Sequence, residues 1–293
     1  MNQKSQSAME YLMTYGWSIL IVAVVLGALA YLGVFNPLYF APKANPGSCQ
    51  VFRPNGAGTS YDINLLGVCN GELPQYVASF NGYNGIVLPG TTSNHLSSFT
   101  LAEWISSTAN CYCASFSSAN VNNYGWQADS AYGDNLARAR FDTSTALNQV
   151  PPGPNIDIKT GQFFFYVLTF SYPANVATVY VNAQSGNPIG ISGVFPVSTA
   201  SNNLIGLQVP TFGGGNWYGY IANMQLYNAS LDQSSITALY QEGIGGAPID
   251  LQNLVGWWPL NGNANDYSGN GYNGASSTGV AYTSSWISSY NPP

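Results

Sequence analysis

Charged side chains are scarce in this chain of 293 residues. Only 6% of the residues are charged, against a usual value of about 25%, and 6 basic and 12 acidic residues give a net charge of −6. A nucleic-acid-binding surface needs clustered Lys and Arg, so nucleic acid is excluded as a partner. Disorder is excluded as well, because 46% of the residues are hydrophobic and the chain has 7 Trp, 21 Tyr and 13 Phe.

Catalytic groups are also scarce. The only histidine, His95, lies in the polar segment 91–98, and no predicted strand carries the paired carboxylates that a glycosidase needs. Glu103 stands alone, and we expect it to face solvent or to accept hydrogen bonds. The sequence has no Gly-x-Ser-x-Gly nucleophile elbow. We therefore expect that this protein is not an enzyme.

Long apolar runs are absent, with one exception near the amino end. The residues from Trp17 to Phe35 carry no charge, and a helix of that length spans about 28 Å, close to the ~30 Å of bilayer hydrocarbon. Pro37 follows as a stop signal. The run predicts either a plain membrane anchor or a secretory signal peptide that is cleaved after the small residues Ala28-Leu29-Ala30.

A third interpretation comes from the segment before this run, which reads Lys4-Ser5-Gln6-Ser7-Ala8-Met9-Glu10-Tyr11-Leu12. It resembles the class III signal peptide of archaeal type IV pilin-like proteins. The resemblance implies that a prepilin peptidase cuts between Ser5 and Gln6, so residues 1–36 would be a leader plus a retained apolar helix. It also implies that Glu10 pairs with the new α-amine of Gln6 on a neighbouring subunit and sets the register of a filament. The alternative places Glu10 in the lipid headgroup layer without a partner.

Residues 37–74 are predicted to form a semi-stiff stalk, because prolines recur at positions 37, 42 and 46. A disulfide between Cys49 and Cys69 would close a loop of about 20 residues and contribute ~3 kcal/mol in an oxidising exterior. The four cysteines allow three pairings. Cys111 and Cys113 are expected on one face of a strand, where a mutual bridge would be strained, so we expect packed or free thiols there.

From residue 75 to residue 286 the pattern is that of an all-β domain, and residues 287–293 are predicted to be a tail. Asn-Gly dipeptides, which favour hairpin turns, separate short runs of β-branched and aromatic residues. Strands are predicted at 76–80, 85–88, 99–105, 163–171, 177–182, 204–209, 218–227 and 254–260. One short helix is predicted between the N-cap Asp232 and Gly243. Many strands with one late helix favour a mainly β, antiparallel jelly-roll sandwich.

Three blocks in this region resemble laminin-G-like, concanavalin A-like jelly rolls. Residues 99–105 (FTLAEWI) are similar to one strand of that family, residues 219–240 to its closing strand and helix, and residues 257–274 to its opening strand. The opening-strand block comes last in this chain. Too few residues follow it for a second sandwich, so we expect a circular permutation in which residues 254–286 return to complete the same one.

Ligand candidates are aromatic residues in two polar loops. Tyr124 and Trp126 lie in one loop, and Trp217 and Tyr218 lie in the other. Exposed rings could stack on sugars, whereas the alternative is that the two tryptophans pack inside the sandwich. Asn228 begins the only Asn-x-Ser sequon and is a glycosylation candidate in an exposed turn.

The laminin-G-like resemblance implies a Ca²⁺ ion near Asp266, which matches the opening-strand aspartate of that family. Two further carboxylates of the family are missing, because Asn81 and Ala222 stand at their positions. Ca²⁺ takes six to eight oxygen ligands, with carboxylates among them. Capping of a turn is therefore the favoured role of Asp266, and no cofactor is firmly expected.

Together these patterns predict a non-catalytic adhesion or recognition protein at the cell surface. The N-terminal helix would hold it in a membrane or a filament, and the jelly roll would bind a carbohydrate or a cell-surface protein. Two other hypotheses are a purely structural filament or envelope subunit without a ligand site, and a monomeric anchored lectin. The surface also suits an acidic exterior, because a surface with few charges changes little as the pH falls.

Overall fold

The computed structural model describes residues 15, 18–27, 49–52, 60–63, 73–93, 96–107, 109, 113–120, 125–130, 136–143, 146–151, 157–158, 160–193, 200–208, 215–276 and 279–293. For residues 49–52, 60–63, 120 and 200–202 the description covers the backbone and not the side chain. The chain divides into two compact units, residues 1–43 and residues 44–293.

In the first unit, Tyr15 and residues 18–27 are helical, and the large apolar side chains among them are exposed. Within the described residues, no helix combines the length and the hydropathy that a membrane crossing requires. Most of the predicted leader, including Ser5, Gln6 and Glu10, and the flanks of the apolar run lie outside the described residues. The long N-terminal helix and its processing site therefore stay predictions.

The second unit is built from β-strands. In chain order the described strands are β1 (Cys49–Phe52), β2 (Ser60–Ile63), β3 (Val77–Asn81), β4 (Ile86–Leu88), β5 (Phe99–Ser107), β6 (Cys113–Asn120), β7 (Gly125–Ser130), β8 (Ala137–Asp142), β9 (Leu147–Val150), β10 (Phe164–Ser171), β11 (Val176–Val181), β12 (Gln184–Ser185), β13 (Ile189–Gly190), β14 (Ala200–Ile205), β15 (Gly215–Asn216), β16 (Tyr218–Tyr227), β17 (Leu254–Trp258), β18 (Ala275–Ser276) and β19 (Ala281–Thr283). An α-helix, Gln233–Glu242, and a 3₁₀ turn, Ile287–Ser289, accompany them.

These strands form two large sheets and a separate β1–β2 hairpin. The first sheet has the order β12-β11-β10-β5-β16-β3-β19, with β13 beside β11 and β17 beside β16. The second sheet has the order β18-β4-β14-β6-β7-β8-β9, with β15 beside β6. Strand β15 runs parallel to β6, and the pairings within the two strand orders are antiparallel. The predicted antiparallel jelly-roll sandwich is confirmed.

The core lies between the two sheets. Alternate residues of β5 in the first sheet, such as Phe99 and Ile105, share one buried cluster with Trp126 and Phe141 of the second sheet. Trp126 stacks between Phe99 and Phe116, with ring centroids 4.3 Å and 4.9 Å away. Aromatic packing of this kind holds the sheets face to face.

A second apolar cluster covers the opposite face of the first sheet. Trp104 of β5 and Phe165 of β10 point to that side, and each ring lies 5.9 Å from the ring of Tyr240 on the helix. The helix begins where predicted, because Oδ1 of Asp232 accepts a hydrogen bond from the backbone N–H of Ser235 at 2.8 Å. It ends at Gly243, whose φ is 77°.

The last strands return to the same sandwich. Strand β17 pairs with β16, β18 pairs with β4, and β19 pairs with β3, so the expected return of residues 254–286 is confirmed. Packing continues past the predicted boundary. The carbonyl of Ser289 accepts a hydrogen bond from the N–H of Phe163 at 2.7 Å, and the ring of Tyr290 lies 5.3 Å from that of Trp104. The predicted tail is therefore wrong for residues up to Tyr290, which belong to the packed domain.

Candidate functional site

Two exposed tyrosines meet where β3 ends and β16 begins. Tyr218 is the first residue of β16 and lies opposite Asn81, the last residue of β3. Tyr83 follows in the turn between β3 and β4. Their side chains are 78% exposed for Tyr83 and 37% exposed for Tyr218. We call Tyr83, Tyr218 and the neighbouring residues Asn81, Gly82 and Asn216 the tyrosine platform.

Gly82 allows the Tyr218 ring to lie against the turn. Its φ is +81°, and a Cβ atom there would lie 2.1 Å from Cζ of Tyr218. The Gly82 N–H donates to the Trp217 carbonyl at 2.9 Å, and the Gly82 carbonyl accepts from Nδ2 of Asn216 at 2.9 Å. The Tyr218 ring is thus placed against fixed backbone before any ligand arrives.

Amide side chains hold the turn that carries Tyr83. Oδ1 of Asn81 accepts hydrogen bonds from the backbone N–H of Tyr83 at 3.0 Å and of Asn84 at 3.2 Å. In return, Oδ1 of Asn84 accepts from the N–H of Asn81 at 3.0 Å. These Asx-type bonds fix the backbone on both sides of Tyr83.

The platform is electrically neutral. The pKa of Tyr218 is raised above its usual 10.0, first by desolvation. The charge interaction with the phenol of Tyr83 and a side-chain hydrogen bond to it raise the pKa further. The Tyr218 phenol is therefore uncharged at physiological pH, and the two asparagine amides carry no charge either. The platform offers aromatic faces together with neutral donors and acceptors, which is the combination that stacks on and hydrogen-bonds an uncharged polar ligand.

The two tryptophans that the sequence suggested as ligand contacts are core residues. Trp217 is fully buried, and Trp126 is 3% exposed within its aromatic stack. Neither ring presents a face to solvent, so the expectation that they contact a sugar is corrected in favour of packing inside the sandwich. Tyr218 is the exposed candidate, and Tyr124 lies outside the described residues.

Sequence reasoning misses Tyr83, the most exposed ring of the platform. Its signal is the pair of Asn-Gly dipeptides at 81–82 and 84–85, which flank it directly. Two adjacent turn-forming pairs place the residue between them at the tip of a tight connection. A ring at such a tip is exposed to solvent, and here the exposed Tyr218 lies beside it.

The carboxylate of Asp266 holds a turn together through hydrogen bonds and is not directed towards a metal-binding site. Its Oδ1 accepts from the backbone N–H groups of Trp257 at 3.0 Å and Ser268 at 2.8 Å. Its Oδ2 accepts from the Ser268 hydroxyl and from the Tyr272 N–H, both at 2.9 Å. In the described part of the chain, no group of three or more His, Cys, Asp or Glu side chains is placed to hold a metal ion. The residues present therefore do not fit the Ca²⁺ site that the resemblance implies.

Glu103 lies inside the sandwich, on the core face of β5 between Leu101 and Ile105. Its Oε1 accepts a hydrogen bond from the hydroxyl of Ser115 at 2.5 Å, whereas its Oε2 accepts none from the described groups. Desolvation by burial raises the pKa of Glu103 from 4.5 to about 8, although the Ser115 hydrogen bond lowers it. The expectation of hydrogen bonding is confirmed, and the expectation of solvent exposure is wrong.

The predicted modification sites have mixed outcomes. Asn228 is exposed directly after β16, and its glycosylation stays a prediction. Cys113 is disulfide-bonded, which corrects the expectation of a packed or free thiol there. The side chains of the other three cysteines lie outside the described set, so the pairing of Cys49 with Cys69 stays a prediction.

Comparisons with known proteins match this architecture. A laminin G family model, described as concanavalin A-like lectin/glucanases superfamily, matches residues 80–237. A candidate carbohydrate-binding protein of Bacteroides ovatus is 14% identical, with a TM-score of 0.54 over 72% of this chain and 60% of its own length. A SAP-like pentraxin from Limulus polyphemus is 17% identical, with a TM-score of 0.51 over 71% of this chain and 94% of its own length.

These likenesses differ in what they establish. A search of curated protein sequences finds no match. The two solved structures are so distant in sequence that they show the fold alone, and this chain spans 60% of the length of the Bacteroides ovatus protein. The family match covers just over half of the chain and lies across both sheets of the sandwich. The chain therefore belongs to the concanavalin A-like lectin/glucanases superfamily, through a laminin G-like jelly roll.

Proposed function

We propose that this chain is a non-catalytic recognition protein of the cell surface, whose jelly roll binds carbohydrate through the tyrosine platform. The observation that carries the proposal is the pair of exposed tyrosine rings, one of them held against Gly82, beside neutral amides. A pyranose presents an apolar C–H face that stacks on an aromatic ring and hydroxyl groups that bond to amides. Because Tyr218 is fixed in advance, little side-chain entropy is lost on binding.

The comparisons support this proposal at the level of the fold. The chain belongs to a superfamily whose description names lectins, and one structure of similar fold is a candidate carbohydrate-binding protein. Fold does not assign a ligand, so the argument rests on the geometry of the platform. The platform contains no carboxylate, whereas glycoside hydrolysis needs a pair of them, so we propose binding without cleavage.

The test is binding of the full chain to an array of immobilised glycans, followed by Kd measurements with the best ligand. We expect Tyr218→Ala and Tyr83→Ala each to weaken binding about tenfold, or ~1.4 kcal/mol, because a stacking face is lost. Neither change should alter the melting temperature appreciably, since both rings are largely outside the core.

Tyr172→Ala is the matched control, because this ring is 55% exposed and lies far from the platform. It follows the end of β10 that pairs with Phe99, whereas the platform lies near Gly219, which pairs with Ser107 at the other end of β5. Eight residues of strand separate these ends by about 26 Å. Unchanged binding in both platform variants, or equal loss in the control, would contradict the proposal. Binding to no glycan would favour a purely structural filament or envelope subunit.

We also propose that the chain is held at the cell surface, in a membrane or in a self-assembled filament, by a pilin-like amino end. The support is the sequence around Ser5, Gln6 and Glu10 and the apolar run that follows. The test is the mature amino terminus, determined by mass spectrometry of protein from its native membrane. A start at Gln6 supports prepilin-type processing, and Glu10→Ala should then abolish assembly. A start at Met1 indicates a plain anchor, and a start at Tyr31 a secreted domain.

A further inference from the structure

The tyrosine platform brings two phenol groups into contact. The side chains of Tyr83 and Tyr218 hydrogen-bond each other. The position of Gly82 agrees with this contact, because a Cβ atom there would lie 2.1 Å from Cζ of Tyr218 and 2.5 Å from its hydroxyl oxygen. Tyr83 is the next residue along the chain, one Cα–Cα step of about 3.8 Å away. Two rings that are far apart in the sequence therefore meet at the surface.

Both phenols are within reach of a dissolved oxidant. Tyr83 is 78% exposed and Tyr218 is 37% exposed. In the described part of the chain, the other easily oxidised side chains, Met224 and the tryptophans, are buried. Tyr172 is exposed as well, but it lies at the other end of β5 from the platform. An oxidant that reaches the sandwich from solvent therefore meets exposed tyrosines and not tryptophan or methionine.

The backbone beneath the two rings is fixed. Oδ1 of Asn81 accepts from the backbone N–H of Tyr83, which holds the turn. The N–H of Gly82 donates to the carbonyl of Trp217, the residue before Tyr218, at 2.9 Å, so the turn is tied to the start of β16. The turn and the strand cannot drift apart, and a small rotation of the Tyr83 side chain is enough to bring ring carbons together. Holding two reacting groups in this way raises their effective concentration far above that of free phenols.

We propose that Tyr83 and Tyr218 form an oxidative cross-linking site, at which hydrogen peroxide and a haem peroxidase join the two rings as dityrosine. Each phenol loses one electron and its hydroxyl proton and becomes a phenoxyl radical. The two radicals couple through one ring carbon ortho to each oxygen. The hydrogens on these two carbons then leave as protons, and the two oxygens take up protons from water, which restores both phenols. One peroxide molecule accepts the two electrons and two protons and is reduced to two water molecules.

The geometry also indicates which carbon of Tyr218 reacts. A Cβ atom on Gly82 would lie 2.2 Å from Cε2 of Tyr218, so this ortho carbon faces the turn and Cε1 is the one left for coupling. The new bond would join the turn between β3 and β4 to β16 and close a long loop of chain. A cross-link of this kind stabilises a domain by lowering the entropy of its unfolded state. The cross-link needs no glycan, so this inference is independent of the proposed function.

The experiment treats the full chain in dilute solution with hydrogen peroxide and a haem peroxidase, and then analyses a proteolytic digest by mass spectrometry. We expect a linked pair of peptides that contain Tyr83 and Tyr218 and are together two hydrogen atoms lighter than the separate peptides. Dityrosine fluorescence should appear in the monomer fraction. The melting temperature of the treated monomer should rise by about 5 °C or more.

Three phenylalanine variants complete the test. Tyr83→Phe and Tyr218→Phe each keep a ring and remove the hydroxyl group from which the radical forms, so each should lower the yield of dityrosine within one chain about tenfold or more. Tyr172→Phe is the matched control at an exposed tyrosine and should leave the yield unchanged. All three should melt like the wild type before oxidation, because surface changes of this kind have small effects. A wild-type chain that forms no dityrosine, or forms it only between separate chains, overturns the proposal, as does an undiminished yield in Tyr83→Phe or Tyr218→Phe.

Discussion

Replacing Glu103 by glutamine is expected to flatten the dependence of stability on pH. The folded chain holds the Glu103 proton up to about pH 8, whereas the unfolded chain releases it near 4.5. Folding therefore takes up a proton between these values, and the stability contributed by the protonated group is complete below pH 4.5 and falls as the pH rises towards 8. Glutamine has no proton to lose, so this part of the pH dependence should disappear.

The size of this pH dependence follows from how far burial raises the pKa of Glu103. Each pH unit between the two pKa values removes about 1.4 kcal/mol from the free energy of unfolding, so the interval from 4.5 to about 8 is worth ~5 kcal/mol. Asp129, whose pKa rises from 3.8 to about 7, adds a similar slope at lower pH. Both effects have the same sign, so we expect the wild-type protein to be more stable at pH 5 than at pH 8.

The assay is urea unfolding at pH 5, 6, 7 and 8 (about one unit apart), because the midpoint and slope give the free energy directly. At pH 5 the variant should differ from wild type by about 1 kcal/mol or less, since glutamine resembles the protonated acid and can still accept from Ser115. At pH 8 the variant should be the more stable protein by several kcal/mol, up to roughly 5. Glu242→Gln, the same change at a half-buried residue, is the control and should alter the slope much less. If the stability of wild type and of Glu103→Gln fell in parallel with pH, the role given to Glu103 would be refuted. A separate expectation, that the surface suits an acidic exterior, would be refuted if the melting temperature of the wild-type protein collapsed between pH 7 and pH 3.

Three further changes test the packing and the turns. Gly82→Ala should lower the free energy of unfolding by about 1–3 kcal/mol and weaken glycan binding, because Gly82 has a φ of +81° and the new Cβ would meet the Tyr218 ring. Unchanged glycan binding by a folded variant would contradict the role of the contact between Gly82 and Tyr218. Trp126→Ala should destabilise the domain by about 3–5 kcal/mol in urea unfolding, whereas Trp126→Phe should cost less, because a ring is kept in the stack. Asp266→Ala should lower the melting temperature, because it removes an acceptor of four hydrogen bonds. Added Ca²⁺ should leave the melting temperature of the wild-type protein unchanged, and an increase in that temperature would support a Ca²⁺ site after all.

The first sheet is largely predictable from the sequence. Its long strands β5, β10 and β16 combine β-branched and aromatic residues, and the predicted positions agree with the observed ones to within two residues. The helix is predictable from local chemistry alone, because Asp232 and Gly243 mark its two ends. The resemblance of residues 257–274 to an opening strand predicted the return of the chain, which composition and periodicity could not reveal.

The second sheet is harder to predict. Strands β6 and β7, CASFSSAN and GWQADS, contain mostly small and polar residues, and their described side chains are buried on both faces. Without alternation between apolar and polar residues, no period of two is visible. Strand β14 was predicted at 204–209 and is observed at Ala200–Ile205, because Gly206 has a φ of 73° and ends it.

The residues that could contact a ligand are also hard to predict from the sequence. The sequence identifies aromatic residues in polar loops, yet it does not show which of two neighbours points into the core. Trp217 is buried in the core, whereas Tyr218, one position later, points outward. One residue of register decides between a core ring and a ligand-facing ring.

The order of the strands along the chain has a consequence for biosynthesis. Val77 of β3 pairs with Thr283 of β19, about 200 residues later, and the long strand β16 receives its neighbour β17 only after the helix has been made. Both sheets therefore lack a strand until the ribosome has added residues 275–283, which form β18 and β19. Pairing over such distances is slow, because a long loop must close before any contact offsets its entropy. The sandwich is thus expected to be completed only after these residues have been made, and a ribosome stalled before residue 254 would hold two sheets that lack β17, β18 and β19.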